Sequence, residues 1–240
     1  MCPPKQAPQP AVITAGKGGA AAAHGLLAEP EAVALIGASS KEAHPGYQLF
    51  LNLRACFGDR FYPVNPKTSE IDGAICYPSI LDVPGEVDVA VVFIPARSVP
   101  EALEQCAEKG IDRIVIESAG FAEAGPEGQA LNRQCLEIAR EAGMRLWGPN
   151  CMGLINVQQD KVLSFLLHFL WKDRFKKGRV SLVVQSGMLS AGPLHRAQER
   201  GDGQCQASGQ AHRPERNTGS GTFPRTPAHE SHDPAPVQKQ

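Results

Sequence analysis

The residues of this 240-residue sequence that could bind a ligand stand directly after short apolar segments. The first such segment is followed by Gly37, Ala38, Ser39 and Ser40. Small side chains and hydroxyls at such a place let backbone N–H groups and side-chain oxygens approach a phosphate. The motif is not a full GxGxxG, because the next glycine is Gly46. Small residues also fill many tight turns that bind nothing, and this remains the alternative interpretation.

An asparagine and a lysine, rather than an acid, follow the second apolar segment. A NAD-binding site usually has Asp or Glu there to accept hydrogen bonds from the ribose hydroxyls. This sequence has Asn65-Pro66-Lys67 instead. Because a lysine can pair with a phosphate, the sequence favours a ligand with a phosphate on or near its ribose, such as coenzyme A or NADP. A solvated surface lysine is the alternative.

Three later apolar segments also end in small or turn-forming residues. Proline after the third segment removes a backbone N–H and stiffens the turn, which gives an apolar surface for a base or a pantetheine chain. Glycine, proline and asparagine close together after the fifth segment specify a tight turn. The residues concerned are Ile94, Pro95 and Ala96 after the third segment, Ser118, Ala119 and Gly120 after the fourth, and Gly148-Pro149-Asn150-Cys151-Met152-Gly153 after the fifth.

Apolar segments alternate with helical patterns over residues 31–157, and this alternation predicts an α/β domain with a parallel sheet. The strands are apolar throughout rather than alternately, so the sheet is expected to be covered on both faces. We therefore predict a doubly wound, Rossmann-like domain whose ligand lies at the carboxyl ends of the strands. Strands are expected at Ala32–Ile36, Phe61–Val64, Val87–Ile94, Ile111–Glu117 and Arg145–Trp147, and helices at Tyr47–Cys56, Val99–Lys109 and Glu127–Ala142.

The rest of the sequence predicts three further regions. Residues 1–30 are rich in Pro, Ala and Gly and are expected to form a flexible leader. Residues 158–194 are expected to form a linker and the start of a second domain, because Val180–Val184 has the character of a first strand. No Leu, Ile, Met, Tyr or Trp follows Leu194, so residues 195–240 are predicted to be disordered. Our hypothesis for this abrupt change is a shifted reading frame or a truncated gene copy, and a natural disordered tail is the alternative.

Charge and cysteine content argue against several classes of partner. The net charge of −1 gives no electrostatic reason to expect nucleic acid or an anionic membrane surface. The seven cysteines form no CxxC pair, so no metal site is expected, and they fit free thiols in a reducing cytoplasm. No apolar stretch reaches the roughly 20 residues of a membrane-spanning helix.

Six short segments of the sequence resemble, in order, those of a known family. The segments are IGASS, YPVNPK, VVFIPA, ESAGFAE, GPNCMGLIN and VVQSGMLS. They resemble the succinyl-CoA synthetase superfamily, and within it the NDP-forming acyl-CoA synthetases such as the ADP-forming acetyl-CoA synthetases. The resemblance covers residues 31–194 and is most specific in GPNCMGLIN. It implies a CoA-binding domain followed by a flavodoxin-like ligase domain, of which this sequence contains an incomplete start.

The resemblance also implies how the candidate residues contribute. Ser39 and Ser40 would hold phosphates of coenzyme A, Lys67 would face its nucleotide end, and Gly37, Ala38 and Asn65 belong to the same two loops. Cys151 resembles a nucleophile, but no base lies near it in the sequence, which favours a place in the wall of the turn. Ile94, Pro95 and Ala96 would line the adenine or pantetheine path, and Ser118, Ala119, Gly120, Asn150 and Cys151 would lie towards the thiol end.

In the family that the sequence resembles, acyl-CoA, ADP and phosphate yield acid, CoA and ATP through a phosphorylated histidine in the second domain. The nucleotide, with Mg²⁺, is bound by a separate ATP-grasp domain or subunit. No histidine of this sequence matches the family position, so we expect it to bind CoA or acyl-CoA without turnover on its own. Three alternatives stay open: a stand-alone CoA-binding regulatory protein, the amino-terminal part of a ligase–acetyltransferase fusion, and an NAD(P)-dependent oxidoreductase or redox sensor.

Overall fold

A five-stranded parallel sheet lies at the centre of the computed structural model, which describes residues 30–166 and the backbones of residues 180–184 and 204–209. The first seven strands of the structure, in chain order, are β1 (Val33–Ile36), β2 (Phe61–Val64), β3 (Glu70–Ile71), β4 (Ala74–Ile75), β5 (Val89–Val92), β6 (Arg113–Ile116) and β7 (Arg145–Trp147). The central sheet has the order β2-β1-β5-β6-β7, and β3 pairs with β4 in a separate hairpin. This order confirms the predicted doubly wound sheet, because the chain runs outward in opposite directions from β1 and from β5.

The central strands are buried on both faces. Every residue of β1 and of β5 is buried, and these strands consist of Val, Ala, Leu and Ile. Successive side chains of a strand point to opposite faces, so Val33 and Leu35 pack on one side while Ala34 and Ile36 pack on the other. The continuous apolar character of these segments therefore arises from two cores rather than one.

Helices cover the two faces of the sheet. They are α1 (Pro45–Phe57), α2 (Val99–Glu108) and α3 (Pro126–Glu141). Each has a proline in its first turn, where a missing N–H costs no helical hydrogen bond. Leu49, Phe50 and Leu53 of α1 pack on one face of the sheet, and Leu103 of α2 and Ala139 of α3 pack on the other.

The hairpin of β3 and β4 is fixed to α1 through its tip. Asp72 and Gly73 both have positive φ (47° and 78°), as a two-residue type I′ hairpin turn requires. The Tyr47 hydroxyl donates to Asp72 Oδ2 at 2.7 Å, and the Arg54 guanidinium donates to the Asp72 carbonyl oxygen at 2.8 Å. These two hydrogen bonds hold the tip of the hairpin against α1.

A second sheet follows the central one. It contains β8 (Leu154–Asn156), β9 (Lys161–Leu163), β10 (Val180–Val184) and β11 (Gln204–Gly209), paired in the order β10-β11-β8-β9. The predicted domain end at residue 157 falls between β8 and β9, and β9 packs on α1 rather than forming part of a linker.

Residues 204–209, which fall in the segment predicted to be disordered, form β11. This strand runs antiparallel to β8 and parallel to β10. Backbone hydrogen bonds of a sheet can be made by polar residues, so the scarcity of apolar side chains did not prevent a strand there. Residues 1–29, 167–179, 185–203 and 210–240 lie outside the described residues, and so do the predicted leader and most of the predicted tail.

Residues 164–166, here called the strap, cross from β9 to the carboxyl ends of the central strands. The side chain of Asn52 in α1 is fully buried, and its amide group donates to the carbonyl oxygens of Ser164 and Leu166, each at 2.7 Å. The Phe165 ring lies 6.1 Å from the ring of Phe93, which follows β5. The strap is therefore part of the first domain. Among the described residues, no helix is long and apolar enough to span a membrane.

Candidate functional site

The candidate site is the carboxyl edge of the central sheet, meaning the loops that follow β1, β2, β5, β6 and β7. All candidate residues from the sequence lie in these loops, and the parallel strands bring the loops to one edge. The topological switch point lies between β1 and β5, because the connections from these two neighbours leave in opposite directions. Ligands of open α/β sheets bind at such a point.

A close backbone approach defines the switch point. Gly37 has a φ of +103°, and a Cβ atom at this residue would overlap the carbonyl oxygen of Phe93 in the loop after β5. The N–H groups of Gly37 and Ala38 donate to the Val64 carbonyl oxygen at the end of β2, at 2.9 and 3.3 Å. Only glycine fits at position 37, and it ties three of the five loops together.

Asn65 holds the loop after β2. Its Nδ2 donates to the Ala38 carbonyl oxygen at 2.7 Å, and its Oδ1 accepts from the Lys67 N–H at 2.8 Å. Both polar ends of this side chain thus bind backbone. The Lys67 backbone is fixed while its side chain is exposed.

Ser118 joins the ends of β5, β6 and β7. Its buried Oγ accepts from the Ile94 N–H at 3.0 Å and donates to the Val92 carbonyl oxygen at 3.4 Å. Its carbonyl oxygen accepts from the Asn150 N–H at 2.9 Å. The hydroxyl that the sequence placed towards a ligand is therefore already engaged in positioning neighbouring loops.

The loop after β6 is closed by a glutamate that the sequence analysis did not identify. Glu123 Oε1 accepts from the N–H groups of Gly120 and Phe121, at 2.7 and 3.2 Å. A Cβ atom at Gly120 would lie 3.2 Å from the Ala96 side chain, so the loops after β5 and β6 meet at these residues. The only signal for Glu123 was its position three residues after Gly120, which suits a local turn contact.

The turn after β7 buries its cysteine. The Gly148–Pro149 peptide is cis, and Asn150 has a φ of +53°. Cys151 is 4% exposed, and its thiol donates to the Ile116 carbonyl oxygen at 3.3 Å. Burial raises the pKa of the Cys151 thiol, which keeps it neutral and unreactive. These features agree with a place in the wall of the turn rather than a nucleophile.

The candidate residues thus divide into two groups that the sequence did not separate. Gly37, Ala38, Asn65, Ser118, Gly120 and Cys151 are occupied in building the loops. The remaining candidates present atoms to solvent at the carboxyl edge. Ser40, Lys67, Pro95 and Ala119 are exposed, and Ser39, Ile94, Ala96 and Asn150 are half-buried.

Two further cations lie in the loops of the carboxyl edge. Lys41 is exposed in the loop after β1, and its N–H donates to Ser39 Oγ at 3.2 Å. Arg97 follows Ala96 and is exposed, 3.5 Å from Glu127 at the start of α3. Together with Lys67 they place positive charge after β1, β2 and β5. Neither Lys41 nor Arg97 was predicted from the sequence, because an isolated cation in a loop carries no motif.

The side chain of His44 stabilises the start of α1. Its Nδ1 accepts from the Gly46 N–H at 3.0 Å, which caps the first turn of α1. Its ring meets the Phe93 ring edge-on, with centroids 5.7 Å apart. Within residues 30–166, no group of His, Cys, Asp and Glu side chains is arranged to hold a metal ion.

Comparisons with known proteins agree on one family. Residues 31–157 match the family model of a CoA binding domain. An ADP-forming acetate–CoA ligase of Archaeoglobus fulgidus, named II, is 42% identical over 161 residues, covering 67% of this chain and 23% of the relative. The alpha subunit of the ADP-forming acetate–CoA ligase II of Pyrococcus furiosus is 39% identical over 167 residues, covering 70% of this chain and 35% of that subunit.

Solved structures give the same result. The dinucleotide-forming acetyl-coenzyme A synthetase 1 of Candidatus Korarchaeum cryptofilum, in its apo form, has a TM-score of 0.68 and 31% identity. The match covers 76% of this chain and 39% of that one. The chain thus spans well under two thirds of the length of the relatives to which it is similar.

Two glycine substitutions test the close approach at the switch point. Gly37 and Gly110 both have positive φ (103° and 81°), but a Cβ atom at Gly110 meets nothing within 4 Å. Gly110→Ala should therefore lower the free energy of unfolding by only the backbone cost, about 1–2 kcal/mol. Gly37→Ala adds a clash with backbone and should cost more than about 4 kcal/mol, measured by urea denaturation. Equal losses in the two variants would contradict the close approach.

Proposed function

The chain belongs to the CoA-binding domain family, and from this membership we propose that its carboxyl edge binds coenzyme A or acyl-CoA for an acid–thiol ligase. The observation that carries the proposal is Lys67, an exposed cation in a loop whose backbone is fixed by Asn65. An NAD site would have an acid at the end of β2 to bind the ribose. A cation there suits the phosphorylated ribose of coenzyme A.

The exposed groups of the carboxyl edge suit the other parts of coenzyme A. Hydroxyls of Ser39 and Ser40 lie in the loop after β1 and, with the cations Lys41 and Arg97 nearby in the same edge, would hold the phosphates. Small and apolar residues continue from the loop after β5 to the loop after β6. Ile94, Pro95, Ala96 and Ala119 would line the pantetheine arm, with Asn150 towards the thiol end.

The complete ligase reaction would need protein parts beyond the described residues. The relatives that match this chain are ADP-forming ligases of much greater length. Within residues 30–166 the only histidine is His44, and its Nδ1 caps α1. A phosphohistidine would therefore come from elsewhere, and ADP and Mg²⁺ would be bound by an ATP-grasp domain or subunit.

The first experiment uses calorimetry of the full chain to measure its affinity for CoA and for dephospho-CoA, which lacks the ribose phosphate. Wild-type protein should bind CoA, and Lys67→Ala should weaken binding roughly 10- to 100-fold, the value of a charge-assisted contact of about 1.5–3 kcal/mol. Dephospho-CoA should bind more weakly to the wild type and should not be weakened further by Lys67→Ala. The matched control is Arg140→Ala, which removes an exposed cation from the last turn of α3.

Two other outcomes of the calorimetry would contradict the role of Lys67 or the proposed function. If Lys67→Ala weakens CoA and dephospho-CoA to the same extent, the lysine does not contact the ribose phosphate. Binding of NADH or NADPH with no response to CoA would overturn the proposed function in favour of an oxidoreductase.

The second experiment measures turnover. The full chain mixed with acetyl-CoA, ADP, phosphate and Mg²⁺ should form no ATP above a protein-free blank, because the described site binds CoA without a phosphorylatable histidine. A luciferase assay detects the ATP, and a known ADP-forming ligase serves as the positive control. ATP formation by this chain alone would show that the catalytic group lies within it.

A further inference from the structure

A buried carboxyl group lies directly behind the candidate site. Glu117 is the first residue after β6 and immediately precedes Ser118, yet its side chain is 3% exposed. Its Oε2 accepts from the N–H of Phe165 in the strap at 3.3 Å. Its Oε1 has no hydrogen-bond partner, and among the described residues only Trp147 Nε1 shares that state. A buried polar atom without a partner costs free energy and calls for an explanation.

The surroundings of Oε1 give that explanation. A Cβ atom at Gly153 would overlap both the Leu163 carbonyl oxygen and Glu117 Oε1, so these two oxygens lie on the same side of Gly153. Two oxygens that only accept hydrogen bonds repel each other. A proton on Oε1 removes the repulsion, because a neutral carboxyl group has one O–H donor and can still accept at its other oxygen.

The other groups around Glu117 do not compensate a negative charge. The strap and β9 present backbone groups, and Asn52 of α1, which binds the strap, is a neutral amide. From the turn after β7, the Cys151 thiol is the titratable group whose charge is coupled to Glu117, and its pKa is raised by burial. Burial also raises the pKa of Glu117, and the Phe165 N–H opposes this only in part.

The strap connects Glu117 with the switch point. Phe165 packs on Phe93, and the Phe93 carbonyl oxygen contacts Gly37 between β1 and β5. We propose that Glu117 is a positioning residue whose neutral carboxyl group holds the strap and the Gly153 turn against the ends of β5 and β6. Loss of its proton places a full negative charge on a buried carboxyl group beside the Leu163 carbonyl oxygen. The Phe165 N–H alone does not compensate this charge, and the strap must open for water to reach it.

The direction of the pH dependence follows from proton linkage. The carboxyl group holds its proton to higher pH in the folded state than in the unfolded state, where its ordinary pKa is 4.5. The unfolded state therefore binds fewer protons above that pH. The stabilisation is complete below about pH 4.5, declines as pH rises, and is lost once pH exceeds the pKa of the folded state.

The test compares Glu117→Gln with the wild type across pH. The amide has the shape of the neutral carboxyl group, so it can donate to the Leu163 carbonyl oxygen and accept from the Phe165 N–H. Between about pH 5 and 8 the unfolding equilibrium constant of the wild type should rise relative to that of Glu117→Gln, by up to tenfold per pH unit. A ratio that stays constant with pH would overturn the proposal.

Hydrogen exchange at the Phe165 amide tests the strap itself. Protection, corrected for the intrinsic pH dependence of exchange, should fall with rising pH in the wild type and stay constant in Glu117→Gln. Glu117→Leu removes the hydrogen bonds to the Phe165 N–H and to the Leu163 carbonyl oxygen, so the Phe165 amide should be less protected at every pH. Equal protection of Phe165 in all three proteins would overturn the proposal. If Glu117→Leu does not fold, the comparison of the wild type with Glu117→Gln still tests the proposal.

CoA affinity gives a second readout, and this part alone rests on the proposed function. The dissociation constant of the wild type for CoA, divided by that of Glu117→Gln, should rise with pH because only the wild type loses the proton of Glu117. Titration of CoA itself affects both proteins equally and cancels in this ratio. Failure of both proteins to bind CoA would refute the proposed function and leave the stability and exchange results to decide the role of Glu117. Binding with a pH-independent ratio, alongside pH-dependent protection, would refute the link from the strap to the site.

Discussion

The contact of Gly37 with the Phe93 carbonyl group is the constraint on which the candidate site depends. It brings the loops after β1 and β5 together at the switch point, and no side chain larger than hydrogen fits there. The Gly37 and Ala38 N–H groups then reach the Val64 carbonyl oxygen, and Asn65 closes back on Ala38. A single close approach thereby fixes three loops.

Three polar side chains at the carboxyl edge bind the protein's own backbone. Asn65 and Ser118 join neighbouring loops, and the exposed Glu123 closes the loop after β6. Ser118 is buried, and its hydroxyl would cost free energy without hydrogen-bond partners. Under the proposed function, exposed side chains such as Lys67 would bind the ligand. This division explains how a site can be rigid while the atoms that it offers to a phosphate remain in solvent.

The sequence predicted the elements well because the apolar segments are short and bounded by glycine and proline. The strands β2 and β7 have the predicted bounds, whereas β5 is shorter than the predicted Val87–Ile94. The N–H groups of Phe93 and Ile94 bind Ile36 and Ser118, so the apolar segment continues into the loop. Glu117 and Phe165 could not be paired from sequence, because they are 48 positions apart and share no motif.

Backbone NMR of the full chain during titration with CoA tests the central claim most directly, because it locates the ligand. Amide shifts should change in the loops after β1, β2 and β5, including Gly37, Ser40 and Lys67. Gly110 and Gly143, which lie before β6 and β7 at the opposite edge of the sheet, should not shift. Shifts confined to that opposite edge, or no shifts at saturating CoA, would contradict a CoA site at the switch point.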